Sequence, residues 1–143
     1  MKQYILLFSG VLFATCSSPK VEYREYDFEI SDYSKNQFLT RINAKDSTAS
    51  VLFLTELFVD SKIKIENNSV IFDSIVNSDR SLGLAHIEKI DNRHDCIIHD
   101  LETGKSFQIK STKSRKYKYI YVGKDHYKNK YSITYSNTHR AFY

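Results

Sequence analysis

The segment His94-Asp95-Cys96-Ile97-Ile98-His99-Asp100 places three potential metal ligands within six residues. On an extended strand, successive side chains alternate between faces, so His94 and Cys96 point one way and His99 the other. No second Cys or His pair at zinc-site spacing completes a tetrahedral set, and no metal is expected. Glu22 with Glu25 and Asp27 with Glu29 could divide acid and base roles, but nothing in the sequence sets two carboxylates across a cleft. Serine is abundant without a Gly-x-Ser-x-Gly elbow, and four dispersed glycines cannot make a phosphate-cradling loop. Neither an enzyme nor a cofactor is therefore expected. The best binding candidate is a basic, aromatic stretch, Arg115, Lys116, Tyr117 and Lys118, continuing to Tyr119 and Tyr121. Its cations would steer anions while the tyrosine rings stack on sugars or partner side chains. A structural role competes: tyrosines half-buried in a strand, with lysines as a solvated face that blunts edge-to-edge pairing.

The elements that would carry these residues are strands. After the first twenty residues the recurring pattern is period-two alternation rich in Ile, Val, Tyr and Phe, broken by Asn, Asp, Ser and Gly clusters. Val21 to Ile30 is expected as an edge strand and Asn36 to Asn43 as another strand. Val51 to Val59, apolar on both faces, is expected as a central strand covered from both sides. Asn67-Asn68 is expected as a hairpin turn, because Asn tolerates φ > 0. A strand is expected around Ala85 to Ile90. A second hairpin should join Cys96 to Leu101 with Ser106 to Lys110, Gly104 taking the left-handed position. Tyr117, Tyr119 and Tyr121 should share one face, and across a polar Gly123 to Lys130 connection Tyr131, Ile133 and Tyr135 should share another. About seven short strands without a βαβ rhythm predict an all-β fold, an antiparallel β-sandwich.

The N-terminus carries a different signal. Lys2 precedes the uncharged run Ile5 to Phe13, which is too short to span a bilayer, and Ala14-Thr15 then leads into Cys16. This arrangement resembles the lipobox of bacterial lipoproteins, in which the cysteine receives a diacylglycerol and the peptide before it is removed. The resemblance covers about sixteen residues. It implies a signal peptide over 1–15, a lipid-bearing Cys16, a tether over 16–20 with Ser17-Ser18-Pro19-Lys20, and one domain over 21–143. It also implies the bacterial cell envelope as the location. Ser17, in place of an aspartate that would hold the protein at the inner membrane, points to the outer membrane, facing the periplasm.

Loss of residues 1–15 leaves 128 residues, enough for one core and not two. A hydrophobic content of 41% with 14% aromatics argues against wholesale disorder. With Cys16 committed to lipid, Cys96 has no disulfide partner, so stability must come from packing. The net charge of +4 is too small to imply nucleic acid, which an exported protein would not meet. Its distribution is uneven: ten basic and sixteen acidic residues lie between Ser17 and Gly104, against nine basic residues and one acid between Lys105 and Lys130. The expected role is a non-enzymatic, lipid-anchored binding module for an envelope protein or an anionic glycan. The alternative is a small inhibitor or immunity-type lipoprotein acting on a hydrolase or toxin.

Overall fold

In chain order the elements are β1 (Lys20–Tyr23), α1 (Asp32–Arg41), β2 (Ala49–Glu56), β3 (Ser61–Asn67), β4 (Val70–Val76), β5 (Leu84–Asp91), β6 (Cys96–Asp100), β7 (Lys105–Ile109), α2 (Ser111–Ser114), β8 (Tyr119–Asp125) and β9 (Lys130–Ser136). They come from a computed structural model that describes residues 18–27 and 30–142. The signal segment and Cys16 lie outside the described residues. The fold is an all-β sandwich of two sheets, one ordered β1-β9-β8-β2-β5 and the other β4-β3-β6-β7. Among the described residues there are nine strands, where about seven are expected. The four-stranded sheet is antiparallel throughout, but in its partner β2 runs parallel to β8 and β1 parallel to β9.

β2 explains why its sequence is apolar on both faces. Leu52 and Leu54 enter the core between the sheets, with Ile63, Ile98, Ile120 and Ile133. Val51 and Phe53 point to the outer face, where Tyr119 and Tyr121 join them under a cover of α1. Each such buried side chain contributes about 1.5–3 kcal/mol of transfer free energy. Both hairpins fall where expected: Asn68 takes φ +65° between β3 and β4, and Gly104 takes φ +69° between β6 and β7.

α1 corrects the strand expected over Asn36 to Asn43. Ser31 caps it, its hydroxyl accepting from the Ser34 amide at 3.2 Å, and Asp32 sits in the first turn where the helix dipole favours a negative charge. Its apolar content is small, but Phe38, Leu39 and Ile42 all pack onto the outer face of β2 and β8. Tertiary packing supplies what helix propensity does not.

β8 is also longer than expected, and this inverts the role of Lys124. Alternation along β8 carries Ile120, Val122 and then Lys124 into the space between the sheets, where its side chain is 1% exposed. The Lys124 ammonium donates to Asp100 Oδ2 at 2.8 Å and to Ser61 Oγ at 2.7 Å. The Tyr131 hydroxyl donates to the same Asp100 oxygen. The other carboxylate oxygen accepts the amides of Glu102 and Thr103 at 3.1 and 3.2 Å. A buried ion pair with both carboxylate oxygens engaged therefore ties the two sheets together.

The register also decides which loops share an end. Because β1 parallels β9 and β8 parallels β2, the chain enters β1 at the end where β2 and β8 finish. The β2–β3, β4–β5, β6–β7 and β8–β9 connections gather at this entry end. Two of them are stitched together by Lys105 Nζ, which donates to the Asn129 carbonyl at 2.5 Å.

Candidate functional site

The basic, aromatic stretch does not form one surface. Arg115 and Lys116 are exposed, but Tyr119 and Tyr121 are buried in the outer-face cluster, 1% and 2% exposed. Tyr117 precedes β8 and packs the other way, its ring 5.5 Å from those of Tyr23 and Tyr135. Lys118 spends its ammonium on the carbonyls of Asp46 and Ala49 at 2.9 and 2.8 Å, and Arg115 donates to the Arg93 carbonyl at 3.1 Å. These heads hold the chain and are not gathered for a ligand. Tyr131, Ile133 and Tyr135 do share the inter-sheet face. Cys96 points into the core, where burial pushes its thiol up to about 12, while His99 on the opposite face meets Ser106 Oγ at 2.7 Å. Among the described residues no group of three His, Cys, Asp or Glu could hold a metal.

The structure gathers polar groups elsewhere, on the outer face of the five-stranded sheet. Near α1 that face carries large rings. Toward the entry end it falls to Thr55, Gly123, Ser132 and Thr134, and the smaller side chains leave a cleft of about 550 Å³. Glu22, Arg24, Tyr26 and Arg140 stand around it. A second depression of about 450 Å³ shares Glu56, Gly123 and Ser132 with the first and reaches Ser18, Lys20 and Lys130. The two form one trough with Glu56 between them.

Glu56 is the unusual residue. Five non-glycine residues have positive φ among the described ones; four are Asn43, Asp60, Asn68 and Asn129, of the types that tolerate it, and the fifth is Glu56 at φ +72°. The conformation is imposed by its neighbours. The Glu56 amide donates to the Gly83 carbonyl at 2.8 Å, the next amide to the Lys124 carbonyl at 3.0 Å, and the β2–β5 register slips just before, between Leu54 and Thr55. The result lays the carboxylate flat on Gly123, where a Cβ would stand 2.6 Å from the Glu56 carboxyl carbon. Gly123 is thus needed for a side chain to lie over it. Strained backbone of this kind clusters at ligand-binding positions, and here the carboxylate faces an open trough.

The cations rest on rings, and Arg24 also acts on Glu22 through its charge. Arg24 lies over the Tyr26 ring at 5.2 Å and Arg140 over Phe142 at 5.3 Å, and among the described residues neither guanidinium is in an ion pair. Glu22 is instead held by Lys20, whose hydrogen bond keeps its carboxyl below the usual range. Burial pushes the Tyr26 hydroxyl up, so it remains a neutral donor at physiological pH. The trough thus presents two guanidiniums able to grip a carboxylate or phosphate in bidentate fashion, a tyrosine, small hydroxyls and the carboxylates of Glu22, Asp27 and Glu56. In the sequence, Glu22 and Asp27 read as ordinary surface charge. The available signal was Gly123, a glycine inside an alternating strand, which marks a close approach by another group.

Replacing Glu56 by Asn, which adopts this backbone region more readily, is expected to raise the unfolding free energy by about 0.5–1 kcal/mol. Urea denaturation checks this, and a loss of stability would mean that the Glu56 side chain supports the fold.

No protein-family model matches the chain, and no curated protein matches it significantly.

Proposed function

We propose that this chain is a lipid-anchored bacterial envelope protein that acts as a non-enzymatic binding module, and that the outer-face trough is its site for an anionic glycan. The observation that carries this is the pair of arginines, Arg24 and Arg140, standing without ion-pair partners among the described residues around an open, hydroxyl-lined trough. Arg24 is exposed and Arg140 half-buried, so both guanidiniums remain within reach of a ligand. An acidic sugar supplies what is missing: a carboxylate or phosphate for the guanidiniums, and hydroxyls to donate to Glu56. Attachment through Cys16, with the protein on the periplasmic side of the outer membrane, is supported by the lipobox-like N-terminus.

The test is an array of uronic-acid-bearing and phosphorylated oligosaccharides, probed with the native protein and with Arg24→Ala combined with Arg140→Ala. Losing two charge-assisted contacts should weaken binding by at least about a hundredfold, and Glu56→Asn should weaken it while stabilising the fold. A blank array with native protein, or binding that survives loss of both arginines, sinks the glycan site.

A further inference from the structure

Each of the four connections gathered at the entry end exposes large apolar side chains: Leu57 and Val59 between β2 and β3, Leu82 between β4 and β5, Leu101 between β6 and β7, and Tyr127 between β8 and β9. Tyr127 is 85% exposed and the other four are 37–50% exposed. A single exposed leucine needs no explanation; one in every loop of the same end does.

The chain itself says what covers them. Ser18 and Lys20 enter the fold at this same end, and β1 begins at Lys20. Cys16 is two residues before Ser18, and two residues span at most about 7 Å. The polar layer of a bilayer is about 5–8 Å deep on each side. A lipid on Cys16 therefore brings the entry end to the headgroups and leaves little slack to swing it away.

We infer that the entry end is a second membrane contact, with the Tyr127 hairpin and the leucine-bearing loops seated in the headgroup layer of the leaflet that holds the anchor. Tyr127 suits that depth, with an apolar ring and a polar tip, and Lys130 beside it meets lipid phosphates, while Lys128 lies 3.6 Å from Asp125. Of the ten large apolar side chains exposed among the described residues, five lie in these four connections around the anchor, and the other five are dispersed over β1, α1 and β4. The orientation also fixes where the trough opens: its lower part, at Ser18, Lys20 and Lys130, lies against the membrane. This inference rests on the anchor proposed above for its geometry, and on the exposed loops for its chemistry.

The chain has no tryptophan, so one placed by substitution reports alone. Tyr127→Trp puts it on the hairpin, and Tyr33→Trp puts it on α1, in the connection that begins and ends at the opposite end; both sites are largely exposed, so folding is spared. The protein, as it matures in the cell, is mixed with phosphatidylethanolamine–phosphatidylglycerol vesicles carrying a quencher near the headgroups. Emission from the hairpin indole should shift to the blue and be quenched severalfold more than emission from the helix indole. Hairpin emission unchanged by vesicles, or shifted without them as protein concentration rises, overturns the inference, the latter by making this end a contact between copies. Intact mass keeps the two proposals apart: quenching of the Tyr127→Trp protein with no lipid on Cys16 sinks the anchor and leaves this contact standing.

Discussion

Lys124→Ala is expected to lower the unfolding free energy by about 3–5 kcal/mol, a large share of the stability of a domain this size. The loss does not measure the strength of the ion pair. It measures what happens to Asp100 afterwards, fully buried, with one oxygen fixed by the Glu102 and Thr103 amides and the other left to Tyr131 alone. Removing both charges, as in Lys124→Met with Asp100→Asn, should leave the protein closer to the native stability than Lys124→Ala does, because no uncompensated charge stays inside. Urea melts of the single and double variants check this. A loss below about 1 kcal/mol for Lys124→Ala would mean that water reaches the carboxylate. The pH dependence has a definite sign. Burial pushes the Asp100 carboxyl up, but hydrogen bonds from Lys124 and Tyr131 outweigh it and hold it below its ordinary value of about 3.9. The unfolded chain takes up this proton first. The contribution of Asp100 is therefore complete above about pH 5 and is lost as pH falls through the lower folded value. Asp100→Asn should flatten that acid slope.

Lys124 also shows where sequence stops informing. Its position in a basic, polar stretch argues for a solvated connection, and only the length of β8, set by pairing with β2 and β9, turns it inward. The parallel pairings are hidden for the same reason: they join segments tens of residues apart, and alternation within one strand carries no information about its partner's direction. Signals that are local and steric come through. β2 declares itself by being apolar on both faces, and Asn68 and Gly104 by suiting positive φ. α1 escapes because three apolar residues suffice once a tyrosine- and phenylalanine-lined sheet face is there to receive them, a requirement its own sequence does not state. The trough is the extreme case. Arg24 and Arg140 are more than a hundred residues apart, and the φ of Glu56 belongs to a bulge created by β5. A composite site of this kind is assembled by topology, whereas Gly123 is its one local trace.

Exported behind a leader cut by the general signal enzyme, with Cys16→Ser, the chain is expected to leave the membrane fraction for the soluble periplasmic fraction, with its fold intact. The magnitudes decide between the two proposed membrane contacts. Each buried methylene of an acyl chain contributes about 0.8 kcal/mol, and although one myristoyl chain binds only marginally, the three chains of a bacterial lipoprotein hold essentially without release. Five partly exposed loop side chains bring at most a few kcal/mol together, before the entropy of confining the protein to a surface. Without the lipid they give reversible contact that dilution and washing remove; with it, they set orientation. Stability should not change, because β1 is bonded to β9 from Lys20 onward and no described contact depends on Cys16. Fractionation of cells carrying each form, with intact mass for the acyl chains, gives the result directly. If the wild-type chain is found without acyl mass, or the Cys16→Ser chain stays in washed membranes, attachment resides in the entry-end loops or elsewhere, and the short leash that places the trough against the headgroups has to be replaced by a protein-made one.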